Sequence, residues 1–400
     1  MPVMPEAARI EPAKDAGRPH TQAVCGRPRT QDGDDSQPRQ VLRVFLLEAL
    51  EVAARAFGAV ALSLTALALP ASAAADTVIA TERAPSKLSA DQSRVVWSSY
   101  DPVTGNYYLT SRDTQGAITR IPIGPRKVPF DVDLGYVGEG EEVAVYSRCR
   151  IEPAAADGAA GVLPVWATGR GCDLYQFAFD GPSGRESRIT RGSTRRASEF
   201  LPAVWGGRLV FARVYERRRG LRGRVPYLYA RRVRGSRRLP GGPRGATGLP
   251  GPTSIDLLVR RLGFSWDWKR ASGGSAGSEI RLDTYGGQHR LLARLRAGLV
   301  FRDLLSPSVS PSSVDFASVA SGGAPEEASE YFRYMLASRD VLTAAAPHPL
   351  VSVSRDFVNG LTYYLRAQDI KVPPPACGQP AASPPPTCVV SLADPIAFGH

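Results

Sequence analysis

Short segments in which apolar and polar residues alternate recur along this chain, separated by turn-forming residues. The clearest copies are Arg94–Tyr100, Glu142–Cys149, Arg208–Tyr215, Arg261–Trp268, Val314–Ala320 and Gly360–Ala367. Alternation with a period of two predicts β-strands. An apolar strand and a turn precede each copy, and a strand rich in Tyr, Phe and Leu and a short basic strand follow it. Each unit therefore predicts a sheet of about four strands.

These six units begin 48, 66, 53, 53 and 46 residues apart. Repeats near this length, each with several strands, are typical of the blades of a β-propeller. The chain has 400 residues and 43% hydrophobic content, which is enough for a large core. We therefore expect an all-β fold, a single β-propeller at residues 76–400, with six blades and with seven as the alternative count.

The last unit shows no evident fourth strand, since only Pro395–His400 remain after its third strand. Asp76–Thr81 is a short β-branched segment near the N-terminus and is the candidate for that outer strand. Pairing of the two chain ends would close the ring and remove exposed sheet edges. The alternative is a frayed N-terminus of the mature chain.

A leader precedes the repeats. Ala56–Ala75 carries no charge and follows Arg55, and its apolar stretch Phe57–Leu69 is ended by Pro70 and the small residues Ala71–Ala73. A basic flank, a short apolar run and small residues predict a secretory signal peptide, cleaved after Ala73 or nearby. The alternative is a membrane anchor, because the uncharged run is long enough to span a bilayer.

Residues 1–55 are too long for the basic flank of a signal peptide. They are polar, rich in Pro and Gly, and show no apolar periodicity. They predict disorder. A second interpretation is a leader extension that results from a start codon placed too early, with the true start near Val52.

The cysteines are consistent with export. Cys25 lies in the leader, and the other four form two local pairs, Cys149 with Cys172 and Cys377 with Cys388. Each pair brackets a Pro/Ala/Gly-rich insertion between the second and third strands of a unit. We expect two disulfides, which an oxidising compartment permits. The alternative is four unrelated thiols.

The strand and turn phrases resemble those of TolB-like and WD-type β-propeller repeats. GCDLYQFAFDG at 171–181, followed by ESRITR, is similar to the TolB-like "dLY…dG…rlT" signature, and 93–113 is similar to its other half. No unit has the paired Trp-Asp of WD repeats. The resemblance implies an exported binding scaffold that contacts protein or glycan, and it implies no shared catalytic residues.

Motifs for catalysis and cofactors are scarce. The mature chain has only His289, His348 and His400, with no metal-ligand spacing and no phosphate-binding glycine loop. We expect no cofactor and no metal. Asp131, Asp133 and Asp256 lie on predicted inner strands, which line the channel of a propeller. They are candidates for the two carboxylates that a glycosidase needs.

Arginines crowd the third unit, and the whole chain carries a net charge of +12. One loop holds Arg217, Arg218, Arg219, Arg222 and Arg224, and Arg213, Tyr215, Tyr227 and Tyr229 lie in the flanking strands. Such a loop could bind an anion. In an exported protein, an acidic envelope polymer is a better partner than nucleic acid, which we do not expect. The alternative is a solvated arginine-rich hairpin.

The sequence thus favours an exported, monomeric binding or scaffolding module at the cell envelope, bound to a protein or an anionic polymer, over an enzyme. Two alternatives stay open. One is a secreted carbohydrate-active enzyme that uses channel carboxylates. The other is a sensor ectodomain held at the membrane by an uncleaved Ala56–Ala75.

Overall fold

A computed structural model describes residues 77–82, 86–137, 140–152, 169–179, 184–190, 193–194, 197–215, 227–231, 236–239, 251–269, 276–284, 289–296, 301–321, 330–345, 350–356, 358, 361–367 and 388–393. In this part of the chain every regular element is a β-strand. No helix there is long and apolar enough to cross a membrane. The leader, both predicted cleavage points and Ala56–Ala75 lie outside the described residues, so export and anchoring stay predictions.

The described strands form six four-stranded antiparallel sheets, numbered I to VI in chain order. Sheet I contains β2 (Leu88–Asp91), β3 (Arg94–Asp101), β4 (Asn106–Arg112) and β5 (Ile118–Arg120). Sheet II contains β6 (Asp133–Tyr136), β7 (Glu142–Ile151), β8 (Arg170–Ala178) and β9 (Arg185–Arg188). Sheet III contains β10 (Ala197–Trp205), β11 (Arg208–Tyr215), β12 (Tyr227–Arg231) and β13 (Ser236–Arg238).

The second half of the chain repeats this order. Sheet IV contains β14 (Pro252–Leu258), β15 (Arg261–Lys269), β16 (Ala276–Thr284) and β17 (His289–Arg296). Sheet V contains β18 (Phe301–Val309), β19 (Ser313–Ser321), β20 (Glu330–Met335) and β21 (Val341–Ala345). Sheet VI contains β22 (Leu350–Arg355), β23 (Thr362–Ala367), β24 (Cys388–Ala393) and, from the N-terminal end, β1 (Thr77–Glu82).

The first strands of the sheets meet in a closed circle. β2 contacts β6, β6 contacts β10, and the series continues through β14, β18 and β22 back to β2. Sheets arranged around a central axis with their first strands innermost are the blades of a propeller. The predicted all-β propeller fold is therefore confirmed.

The two chain ends share sheet VI. β1 pairs antiparallel with β24 and is the outermost strand of the sheet. Glu82, the last residue of β1, is buried and accepts a hydrogen bond from the Trp97 indole nitrogen of sheet I at 2.7 Å. This bond ties the N-terminal strand to the next sheet. Burial raises the pKa of Glu82.

Apolar side chains fill the spaces between neighbouring sheets. The strands next to the axis are buried on both faces, because each sheet is covered on two sides. Phe130 and Tyr146 pack edge to face between sheets I and II, and Phe264 and Trp266 contribute to the cluster between sheets III and IV. The aromatic residues of the second strands thus pack the core, as their alternation predicts.

One of the two predicted disulfides is present. Cys149 on β7 and Cys172 on β8 face each other in the strand register and are bonded. The two cysteines are 23 positions apart in the sequence and bracket the predicted insertion. Cys377 lies outside the described residues and Cys388 begins β24, so the Cys377–Cys388 bond stays a prediction.

Gly135 lies where the inner strands of sheets II and III approach most closely. A Cβ atom at this position would lie 2.1 Å from the backbone oxygen of Val204 on β10. That oxygen belongs to a strand and cannot rotate away. The position therefore requires glycine for close approach, and its backbone does not need a positive φ.

We predict that Gly135→Ala lowers the free energy of unfolding by about 1–3 kcal/mol, since the added methyl group overpacks a rigid contact. Gly124→Ala is the matched control, because its Cβ would lie 3.6 Å from the Arg148 guanidinium, an ordinary contact. Chemical denaturation measures both variants. Equal stability of the two would contradict the close approach of β6 and β10.

Candidate functional site

Side-chain oxygens on the inner strands accept backbone N–H groups from the inner strand of the following sheet. Bulges in β10, β14, β18 and β22 interrupt their pairing with the second strands and leave such N–H groups unpaired. Leu201 and Ser306, at two of these bulges, have positive φ. The observed acceptor and donor pairs are Ser89 with Leu134, Asp131 with Leu201, Asp133 with Val204, Ser254 with Ser306, Asp256 with Val309, Ser308 with Arg355, Ser352 with Leu88, Ser354 with Ala90 and Asp356 with Ser93.

Asp131, one of the predicted channel carboxylates, is fully buried and fully hydrogen-bonded. It accepts the backbone N–H and the hydroxyl of Ser147, at 2.8 and 2.7 Å, and the N–H of Leu201 at 2.7 Å. The buried Arg126 guanidinium lies 3.7 Å away and donates to the Ser147 carbonyl. This carboxylate holds sheets II and III together and has no free position for a substrate.

Asp133 and Asp256, the other two predicted carboxylates, make similar contacts. Asp133 accepts the hydroxyl of Ser89 at 3.2 Å and the N–H of Val204 at 2.9 Å. Asp256 accepts the N–H groups of Leu257 and Val309. Burial raises the pKa of both, to about 7 for Asp133, and Lys87 opposes the rise at each.

Lys87 precedes β2 and donates to the backbone oxygen of Ile255 in sheet IV at 3.2 Å. In a ring of six sheets, I and IV face each other, so this side chain crosses the centre. Its ammonium group compensates two aspartates from different sheets. The three predicted catalytic candidates therefore have structural roles in the ring, which argues against their use as a glycosidase pair.

A sequence motif that our sequence analysis missed underlies these contacts. Inner strands carry Ser-x-Asp or Asp-x-Asp at 89–91, 131–133, 254–256 and 354–356. The first residue of each motif accepts an N–H from the next sheet, and so do three of the four final aspartates. Because the motif recurs at equivalent positions of the repeats, the sequence alone could have indicated that these residues share a structural role.

Asp91 is the exception among the four final aspartates. It is buried, and neither of its carboxylate oxygens makes a hydrogen bond of good geometry. The half-buried Tyr136 hydroxyl faces it, and Asp356 and Glu142 lie nearby. Burial raises the pKa of Asp91 to about 8, and the charge of Asp356 adds to this rise.

Two other carboxyl groups near Asp91 have hydrogen-bond donors of their own. Asp356 accepts the N–H groups of Ser93 and Val358. Glu142 accepts from Arg94 at 2.8 Å, while its other oxygen is buried without a hydrogen bond. Burial raises the pKa of Glu142, and Arg94 opposes this. Sheets VI, I and II thus bring three carboxyl groups together.

The basic and aromatic cluster of sheet III is only partly on the surface. Arg213 is buried, lies 2.9 Å from Glu199, and stacks over the Tyr229 ring at 4.5 Å. Burial raises the pKa of Glu199 to about 8, although Arg213 opposes this. Tyr215 is half exposed. Arg213 and Tyr229 therefore stabilise the blade and do not form an anion site.

The predicted anion-binding residues Arg217, Arg218, Arg219, Arg222 and Arg224 lie outside the described residues, between β11 and β12. Exposed arginines do occur on the outer strands nearby. Arg185 and Arg188 lie on β9, and Arg238 lies on β13. Arg188 pairs with Asp173 at 2.6 Å while its side chain stays 45% exposed. The outer edge of sheets II and III is therefore basic.

A metal centre has no support in the described part of the chain. No group of three His, Cys, Asp or Glu side chains there is arranged to hold a metal ion. His289 lies with its Nδ1 atom 2.7 Å from Asp283, across the β16 and β17 pair. His348 and His400 lie outside the described residues.

Comparison with known proteins adds architecture only. No protein-family model matches the chain, and no curated protein matches it at a significant level. The TolB-like or WD-type resemblance therefore stays a prediction.

Several solved structures align with the chain at low identity. An α-L-arabinofuranosidase of Fusarium graminearum aligns at 10% identity over 79% of this chain and 97% of its own, with a TM-score of 0.45. The β-propeller domain of the trilobed protease from Pyrococcus furiosus aligns at 10% identity over 70% of this chain and 74% of its own, with a TM-score of 0.39. The acylaminoacyl peptidase of Pyrococcus horikoshii aligns at 11% identity over 70% of this chain and 41% of its own, with a TM-score of 0.36. This chain therefore spans about two fifths of the length of that enzyme.

We predict that Asp131→Ala lowers the free energy of unfolding by about 3–5 kcal/mol, because it leaves Arg126 and the N–H groups of Leu201 and Ser147 without their buried acceptor. Asp340→Ala, on an exposed turn, should change it by less than about 0.5 kcal/mol. Denaturant titration distinguishes the two. If Asp131→Ala does not change the free energy of unfolding, the structural role assigned to this carboxylate is wrong.

Proposed function

We propose that this chain is an exported six-bladed propeller that acts as a binding or scaffolding module at the cell envelope and binds an anionic polymer. The observation that carries the proposal is the exposed arginine side chains on the outer strands of sheets II and III. The net charge of +12 supports it, because a basic surface attracts polyanions over several ångströms. The five arginines between residues 217 and 224 add to the charge of the segment between β11 and β12.

The ring of inner-strand contacts supports a scaffolding role. Asp131, Asp133 and Asp256 are occupied by hydrogen bonds within the ring, so the centre is a rigid support in which no free carboxylate pair remains at these positions. A rigid support holds arginines of neighbouring sheets at fixed spacing. A polymer with regularly spaced phosphate or carboxylate groups can then contact several of them at once.

We predict that replacing Arg217, Arg218, Arg219, Arg222 and Arg224 with Ser lowers retention on immobilised poly(glycerol phosphate) at low salt. Rising salt should weaken retention of the unmodified protein, because screening competes with exposed charges. The unfolding transition should stay unchanged. Arg260→Ser, an exposed arginine of sheet IV, is the control for loss of charge elsewhere. If the five-residue variant is retained as well as the unmodified protein, the loop does not bind the polymer and the alternative of a solvated arginine-rich hairpin holds.

One observation favours the second candidate, a secreted carbohydrate-active enzyme. Burial raises the pKa of Asp91 to about 8 and Asp356 lies beside it, and a carboxyl group with a raised pKa near a second carboxyl group is a pattern of glycosidase general acids. If the chain cleaves glycans, these two groups are better suited than Asp131, Asp133 or Asp256.

We predict that this second function, if present, appears as new reducing ends on a panel of acidic and neutral polysaccharides, and that Asp91→Asn abolishes it. Asp340→Asn should leave this activity intact, since Asp340 is exposed between β20 and β21. Absence of reducing ends with every polysaccharide between pH 5 and pH 8 would exclude the enzyme. A membrane-held sensor remains open for as long as cleavage within Ala56–Ala75 is untested.

A further inference from the structure

Asp91 lacks the donor that its equivalents in the other sheets have. In the other three motifs, the two acceptors bind backbone N–H groups that are three residues apart in the next sheet. Asp131 and Asp133 accept from residues 201 and 204, Ser254 and Asp256 from 306 and 309, and Ser354 and Asp356 from 90 and 93. Ser89 accepts from Leu134, so the expected donor for Asp91 is Val137. The N–H of Val137 instead donates to the carbonyl of Glu141 at 3.0 Å.

The groups that face Asp91 come from every element packed around it. Tyr136 and Asp133 lie on β6, Glu142 begins β7, and Asp356 follows β22. Arg94 on β3 is the nearby cation, and Glu142 already pairs with it. An ionised Asp91 would therefore be a third carboxylate without a backbone donor or a cation of its own. A buried charge in this position is strongly disfavoured, whereas the protonated form requires no counter-ion.

We infer that Asp91 carries a proton when the junction of sheets VI, I and II is closed, and that this proton makes the junction a pH-sensitive latch in the ring. Asp356 accepts the N–H groups of Ser93 and Val358, so it has the backbone donors that Asp91 lacks. The proton resides on Asp91, which has the Tyr136 hydroxyl as its polar neighbour.

The direction of the pH dependence follows from the raised pKa. Asp91 titrates near its ordinary value of 3.8 when the junction is open and near about 8 when it is closed. The closed junction is thus fully favoured below pH 3.8 and loses this contribution as the pH rises through about 8. Each opening above pH 4 releases one proton, so the opening equilibrium should increase by up to about tenfold per pH unit between pH 5 and pH 7.

Hydrogen exchange of the protein, corrected for the intrinsic pH dependence of exchange, tests this. Peptides that cover residues 88–97 and 350–356 should show opening that increases with pH in the unmodified protein. Asp91→Asn, which imitates the protonated form, should remove the slope. Asp340→Asn should retain it. A flat profile in the unmodified protein, or a slope that survives in Asp91→Asn, would overturn the inference.

A direct titration keeps the inference falsifiable if Asp91→Asn does not fold. Carbon-detected NMR of the aspartate carboxyl groups in the unmodified protein should reveal a resonance that titrates near pH 8, above that of Asp133 near pH 7 and well above the ordinary range. If every aspartate that titrates does so below pH 6, the junction holds no proton at neutral pH and the latch does not exist.

Discussion

A side-chain oxygen on one inner strand that accepts a backbone N–H from the next inner strand is the contact on which the ring depends. Neighbouring blades of a propeller share no strand pairing, so apolar packing alone would leave their relative angle loosely defined. The Ser and Asp acceptors add a directional bond at nearly every junction, for example from Leu201 to Asp131 and from Ala90 to Ser354. At two junctions a bulge in the inner strand holds the donor, Leu201 in β10 and Ser306 in β18.

The same contact explains which carboxylates are available for other chemistry. Asp131, Asp133 and Asp256 have both oxygens occupied, so their burial stabilises the ring and carries no functional implication. Asp91 carries the motif but lacks the backbone donor, and its burial raises its pKa to about 8. The N–H of Val137 donates to Glu141 and not to Asp91, and this is what distinguishes Asp91 from the equivalent aspartates of the other sheets.

Arginine has two roles in this chain. Inside sheet III the buried Arg213 lies against the Tyr229 ring and pairs with the buried Glu199, so it contributes packing and compensates buried charge. On the outer strands the arginines reach solvent and provide the surface charge. Only the second group is available to a polyanion, and composition alone does not separate the two.

Alternation of apolar residues and the spacing of the units were sufficient to predict the all-β propeller and the Cys149–Cys172 bond, because strand period and repeat length are local properties. The pairing of β1 with β24 was inferable from an incomplete last unit. The role of Asp91 was not inferable, although its Ser-x-Asp motif is visible. Its partners are up to 265 residues distant along the chain, and only the packing of three sheets determines which N–H groups face it. Tertiary structure therefore decided which of several similar aspartates is buried without a backbone donor.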